Sequence, residues 1–128
     1  YDAIDFGRLL GHCLAVDFGD FIAIDPHIGS VLYAADRFES RPQIEAWLKA
    51  GYVVVLDRYV SANQIHQGGK IHDTKKQKEF LGWLDHMEHG VFGLPRPDAI
   101  VYLDVPVEVS HKLLGQEEQP RKKVYLKK

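Results

Sequence analysis

Cysteine is nearly absent: Cys13 stands alone in 128 residues, which excludes an intramolecular disulfide and any metal site built on several thiolates. A reducing compartment, by default the cytoplasm, is the expectation. Long apolar runs are also missing. No stretch of the sequence reaches the roughly eighteen residues that span a bilayer, and Tyr1-Asp2-Ala3-Ile4-Asp5 lacks the positive-then-apolar order of a signal peptide. Nor is charge one-sided. Sixteen Lys+Arg against eighteen Asp+Glu leave −2, too close to neutral to argue for a nucleic-acid or membrane surface. The seven histidines show no His-x-x-x-His spacing, so a zinc site of that type is not expected. The first residue is not Met, and the chain is expected to begin inside something longer.

What is present has the balance of one folded domain, with 45% apolar and 27% charged residues and neither repeats nor low-complexity blocks. A single domain over 1–128 is the expectation. Its charge is uneven. Residues 1–110 hold ten basic and sixteen acidic side chains, whereas 111–128 hold six basic and two acidic. The tail is basic.

Apolar positions at Ile4, Leu9, Leu10, Cys13 and Leu14 predict a helix over about 2–14. Asp25-Pro26 reads as a helix start, since Asp accepts from free first-turn N–H groups and Pro needs no donor there. That helix should run to about Phe38. Pro42 is expected to open or bend a further segment, whose apolar face of Ile44, Trp47 and Leu48 ends at Gly51, a left-handed cap. Tyr52-Val53-Val54-Val55-Leu56 and Ala99-Ile100-Val101-Tyr102-Leu103 are short, apolar and β-branched, as in parallel strands buried on both faces. Between them Asp73 should cap a helix over about 74–90 that buries Phe80, Leu81, Leu84 and Met87. Strand, helix, strand is a βαβ unit. Two such strands need neighbours, so the sequence looks too poor in strands for a whole α/β domain.

Ligands of open parallel sheets lie beyond the carboxyl ends of the strands. Asp57-Arg58-Tyr59 stands after the first expected strand and Asp104 after the second. A carboxylate there can hold Mg²⁺ through water, and the guanidinium can clamp a phosphate; alternatively Asp57 caps the next turn and Arg58 pairs on the surface. Tyr33 and Arg37, spaced i,i+4, can stack on a base and donate to its carbonyl oxygen. They equally suit a core aromatic and an ion-pair partner. Asn63, Gln64, His66 and Gln67 offer hydrogen-bonding groups in a polar loop. Gly68-Gly69-Lys70 mimics the end of a phosphate-binding loop, but Ile71 replaces the required Ser or Thr and Gln64 occupies the place of its first glycine.

Taken in order, Val31-Leu32-Tyr33-Ala34-Ala35-Asp36-Arg37-Phe38-Glu39, Asp57-Arg58-Tyr59-Val60-Ser61-Ala62-Asn63 and Gly93-Leu94-Pro95-Arg96-Pro97-Asp98 with Tyr102-Leu103-Asp104-Val105 resemble successive blocks of thymidylate (dTMP) kinase. The resemblance covers roughly 1–114. It implies an α/β class, a three-layer α/β/α P-loop NTPase-like fold with a parallel sheet, incomplete in this chain, and transfer of the γ-phosphate of ATP to dTMP with Mg²⁺. It further implies Arg37 on the thymine, Tyr33 stacked against it, Asn63 on the base and His66 beside the sugar, Arg58 between the phosphates and Asp57 near the metal; Gln67, from the polar loop, is a further candidate for substrate binding. Arg121 is a candidate lid arginine. A homodimer and nucleotide partners, with no nucleic acid and no membrane, complete the expectation. The family's Gly-x-x-x-x-Gly-Lys-Ser/Thr loop is expected before Tyr1, so that the parent is the enzyme and this polypeptide alone inert. Two other readings stay open: a deoxynucleoside kinase of the same fold, and a nucleotide-binding module without phosphate-loop chemistry.

Overall fold

The computed structural model describes residues 5–14 and 23–116. The chain divides into two compact units, 1–96 and 97–128. In the first unit the described elements are α1 (Asp5–Leu14), α2 (Pro26–Lys49), α3 (Val60–Gly68), α4 (Thr74–Asp85) and a π-helical turn (His86–Val91). The second contributes α5 (Val107–Gln116).

The expected start signals operate as written. Asp25 Oδ1 accepts from the His27 and Ile28 backbone N–H groups at 2.8 and 3.4 Å, and Pro26 follows at the first helical position. Those contacts, the His27 N–H foremost, hold the Asp25 carboxyl below its ordinary range. Asp73 likewise caps α4 through the Lys76 N–H at 2.8 Å. At the far end of α2, Gly51 adopts φ +81°. Its N–H donates to Leu48 O at 3.0 Å and that of Tyr52 to Trp47 O at 3.1 Å, a Schellman cap that only glycine enters without strain.

Two boundaries differ from the sequence expectation. Pro42 neither opens nor ends a segment: α2 is one helix of 24 residues with Pro42 inside it. Tertiary contacts on both sides override the local cost, since Arg41 Nη1 donates to Phe92 O at 2.8 Å and Ile44 is buried beyond the proline. The helix expected over 74–90 changes at Asp85 into a wider turn, where the Phe92 N–H reaches back five residues to Met87 O at 2.9 Å.

The larger difference concerns the sheet. Neither 52–56 nor 99–103 is part of a β-ladder, and among the described residues there is no strand. Val53 and Val55 are 91% and 87% exposed, Val101 and Leu103 83% and 79%. The reason is physical: a strand satisfies its donors and acceptors only against a neighbour, and no described residue supplies one. The apolar character of both runs is thus unused.

Packing in the first unit is helix on helix. Ala34 of α2 meets Phe80, Leu84 and Met87, with Ile71, Leu81, Trp83 and Phe92 around them. A smaller cluster joins Leu10 and Cys13 of α1 to Ile24, Leu32 and Tyr33. Glu39 fastens α1 to α2 by accepting from the Asp5 and Phe6 N–H groups at 3.1 and 2.9 Å, a carboxylate at the positive end of a helix. Among the described residues no helix is long and apolar enough to cross a membrane.

Leu84 is fully buried at the centre of the main cluster. Leu84→Ala should cost about 2–5 kcal/mol, the range for a buried Leu left as a cavity, read as a lower urea midpoint. Half-buried Asp36 behaves oppositely. Burial raises its pKa, against the pull of neighbouring Arg37, so its charge opposes folding at neutral pH, and the cost fades as pH falls through the raised folded value. Asp36→Asn should therefore raise stability at pH 7, with the gain shrinking as pH falls through the raised value and gone below the ordinary carboxylate value of about 4. Urea titrations at both pH values test this; a gain that grows on acidification refutes it.

Candidate functional site

Three elements contribute polar side chains to one buried cluster. On α2, Arg37 lies one turn beyond Ala34 and so shares the face that meets the core. On α3, Asn63 and Gln67 are spaced i,i+4 and both are 4% exposed. Glu88, in the π-helical turn, has no exposed surface at all. It continues the buried Phe80 and Leu84 series, each four residues apart, so a carboxylate occupies a place where the pattern asks for an apolar side chain.

That carboxylate is fully paired. Arg37 Nε donates to Glu88 Oε2 at 2.7 Å and Nη2 to Oε1 at 2.7 Å, a bidentate pair in which the arginine side chain is 14% exposed. Asn63 Nδ2 adds a third bond to Glu88 Oε1 at 2.9 Å and also donates to Ser30 O at 3.2 Å. Two buried acceptors are left over: among the described residues Asn63 Oδ1 and Gln67 Oε1 have no hydrogen-bond partner. Leaving such an oxygen unsatisfied costs about 1–3 kcal/mol. Gln67 sits where α3 crosses α2 closely, since a Cβ on Gly29 would lie 3.0 Å from Gln67 Oε1.

Tyr59 closes one side. Its hydroxyl donates to Pro95 O at 3.0 Å, and burial raises its pKa, with Arg37 and Glu88 exerting opposing fields. Arg41, one turn after Arg37, ties α2 to the segment that follows Glu88 through Phe92 O. Gly93 takes φ +61° beneath that guanidinium, where a Cβ would come within 2.7 Å of Arg41 Nη1.

The structure brings together Arg37, Asn63 and Tyr59, and adds Glu88, which sequence reasoning missed. The available signal was the carboxylate on the buried face of 80–88. Asn63 and Gln67 belong to a helix, not to the loop expected there; inward polar residues hide the apolar period that announces a helix. Tyr33 packs against the Leu10 and Cys13 cluster on α1. Arg37 pairs with Glu88 through one edge of its guanidinium. His66 is exposed on α3. Asp57 and Arg58 are exposed, and Arg58 holds φ +67°, a left-handed conformation that an arginine adopts only at a cost of about 1–3 kcal/mol. Asp104 belongs to the other unit and is exposed. Arg121 lies outside the described residues. Among the described residues no three His, Cys, Asp or Glu side chains gather into a metal-binding group. A lone Asp57 suits Mg²⁺ only in the manner of an ion that keeps most of its water and takes its other ligands from phosphate.

Comparison with known proteins places this chain in a family. The family model for thymidylate kinase matches residues 4–128. A probable thymidylate kinase from Pyrobaculum aerophilum is 29% identical over 105 residues, covering 81% of this chain and 50% of the relative. A thymidylate kinase from Mycobacterium tuberculosis H37Rv is 31% identical over 94 residues, 73% of this chain and 43% of that one. One from Neisseria meningitidis is 35% identical over 89 residues, 70% and 40% of the respective chains. The chain thus spans about half the length, or less, of the curated relatives it matches. No solved structure matches it. With nearly its whole length inside one family model, the chain belongs to the thymidylate kinase family, which implies a P-loop NTPase fold.

Proposed function

We propose that this chain carries the acceptor half of a dTMP kinase, within a three-layer α/β/α fold with a parallel sheet. In that reaction an oxygen of the dTMP phosphate bonds to the γ-phosphorus of ATP while the bond to the ADP oxygen breaks, giving dTDP and ADP. The sequence contains no Gly-x-x-x-x-Gly-Lys-Ser/Thr loop, so no residue of this chain is assigned to the phosphates of ATP. Its side chains act on the acceptor.

The observation that carries the reading is the buried cluster of Arg37, Asn63 and Glu88. Thymine offers a carbonyl acceptor at O4 beside a donor at N3–H. Arg37 supplies donors and Asn63 Oδ1 supplies an acceptor that no described residue satisfies. A base bound against them would exchange that unpaired oxygen for a hydrogen bond. Tyr33 and His66 would flank the nucleoside, Tyr33 by stacking, and Gln67 Oε1 offers a second unpartnered acceptor. At the other end Arg58 would contact the transferring phosphoryl group and Asp57 would hold Mg²⁺ through water, the ion neutralising phosphate charge when bound. Arg121 would belong to the lid. The strained backbone of Arg58 and the exposure of its guanidinium support that assignment, because left-handed non-glycine residues concentrate where a side chain is aimed for use.

The reading is tested by turnover of the intact protein with ATP and Mg²⁺ and either dTMP or thymidine. dTDP from dTMP alone supports it; phosphorylation of thymidine alone would establish the deoxynucleoside kinase, and no turnover with nucleotide binding retained would establish a binding module. Arg58→Ala should then lower kcat by at least about tenfold, more than it raises KM, since a guanidinium between donor and acceptor acts mainly in the transition state. An effect confined to KM would reduce Arg58 to simple binding.

A further inference from the structure

The role of Glu88 is assigned by neither the family match nor the base contacts proposed for Arg37 and Asn63. A buried ion pair is a poor device for stability: two apolar side chains of the same volume would serve as well or better. What a buried carboxylate does supply is a fixed pattern of hydrogen bonds around itself. Glu88 accepts three, two from Arg37 and one from Asn63, and acts in all of them as the acceptor.

The consequences for its partners follow from their chemistry. The Nε–Nη2 edge of Arg37 is occupied by Glu88, so its free donors are the two N–H groups of Nη1 and one of Nη2. The guanidinium plane is set before any ligand arrives. Asn63 is fixed more strictly. Its amide faces two acceptors, Glu88 Oε1 and Ser30 O, so Nδ2 must point at them and Oδ1 must be presented elsewhere. One carboxylate thereby sets both a donor and an acceptor.

We infer that Glu88 is a positioning residue that sets pyrimidine specificity, by holding Arg37 as donor and Asn63 as acceptor against position 4 and N3 of the base. The inference rests on the acceptor-site reading given above. A thymine or uracil edge, O4 then N3–H, complements that pair. Cytosine reverses both groups, with an amine at position 4 and a bare N3, and meets donor with donor and acceptor with acceptor. The 5-methyl group plays no part in this, so Glu88 separates dTMP from dCMP and not dTMP from dUMP.

The experiment compares kcat/KM for dTMP, dCMP and dUMP in the intact protein and in Glu88→Gln and Glu88→Asp. Glu88→Gln lets an amide N–H face Arg37 and frees Asn63 to flip. It should lower the dTMP/dCMP ratio about tenfold or more, the worth of one charge-assisted hydrogen bond, and leave the dTMP/dUMP ratio within about twofold. Glu88→Asp keeps the charge at shorter reach and should fall between. A purely structural role predicts all three substrates falling together with both ratios constant, which overturns the inference. Loss of discrimination against dUMP as well would do the same. Should neither variant fold, nitrogen NMR of the unmodified, nucleotide-free protein decides: Arg37 is expected to show a slowly rotating guanidinium, unlike exposed Arg58, and fast rotation at Arg37 refutes pre-positioning. Failure of the unmodified protein to accept dTMP would instead defeat the acceptor-site reading itself.

Discussion

A carboxylate without solvent contact must be compensated, and in this chain Glu88 imposes that condition on three elements at once. Its desolvation is offset only if Arg37, Asn63 and the intervening backbone hold their places together. α2 therefore cannot rotate, α3 cannot slide, and the turn after α4 cannot unwind without stranding a charge. The π-helical turn belongs to the same constraint. Within the wider turn its main-chain carbonyl accepts from the Leu94 N–H at 2.9 Å, while its side chain, on the face continued from Phe80 and Leu84, reaches α2. Arg41 and Gly93 lock the exit of that turn against the same helix.

The apolar runs at 52–56 and 99–103 show the complementary case, a demand that the described residues leave unmet. Helices satisfy their backbone internally, so α1 to α4 form wherever caps and an apolar face allow. Strands depend on others. This difference explains why the helical layer is complete enough to build the Arg37 cluster while Val53, Val55, Val101 and Leu103 remain in solvent. The position after the first of those runs is nevertheless specialised, for Arg58 adopts a left-handed backbone conformation and offers its side chain outward.

Much of this is legible in the sequence wherever the signal is local. Asp25-Pro26, Asp73 and Gly51 act through groups within four residues, and each cap has the form that its residue type predicts. Pro42 misleads for the converse reason: its cost is local but the compensation comes from Phe92, about fifty residues away. α3 is hidden because its inward face carries Asn63 and Gln67, whose burial depends on partners elsewhere in the chain. The Tyr33 and Arg37 pair is visible, yet the protein contacts that fix it, Leu10 and Cys13 for the ring and Glu88 for the guanidinium, lie outside its own helix. Glu88 itself stands in plain view as an acid on an apolar face, where elementary electrostatics requires a cation nearby.

The two arginines of the proposed site end in opposite electrostatic states, and that contrast fits the polarity of a nucleoside monophosphate. Arg37 is neutralised by Glu88 within a nearly dry cluster, so it attracts no free anion and acts by the direction of its remaining N–H groups. Arg58 makes no ion pair among the described residues and faces water, which leaves its charge available to a phosphate. In the proposed site a nucleotide entering base-first would meet directional recognition without net charge at Arg37 and unscreened positive charge at Arg58. Were Glu88 absent, both ends would attract the phosphate, and the bound orientation would rest on shape alone. In the proposed site, pairing one cation and sparing the other would give a ligand whose own charge lies at one end a preferred direction.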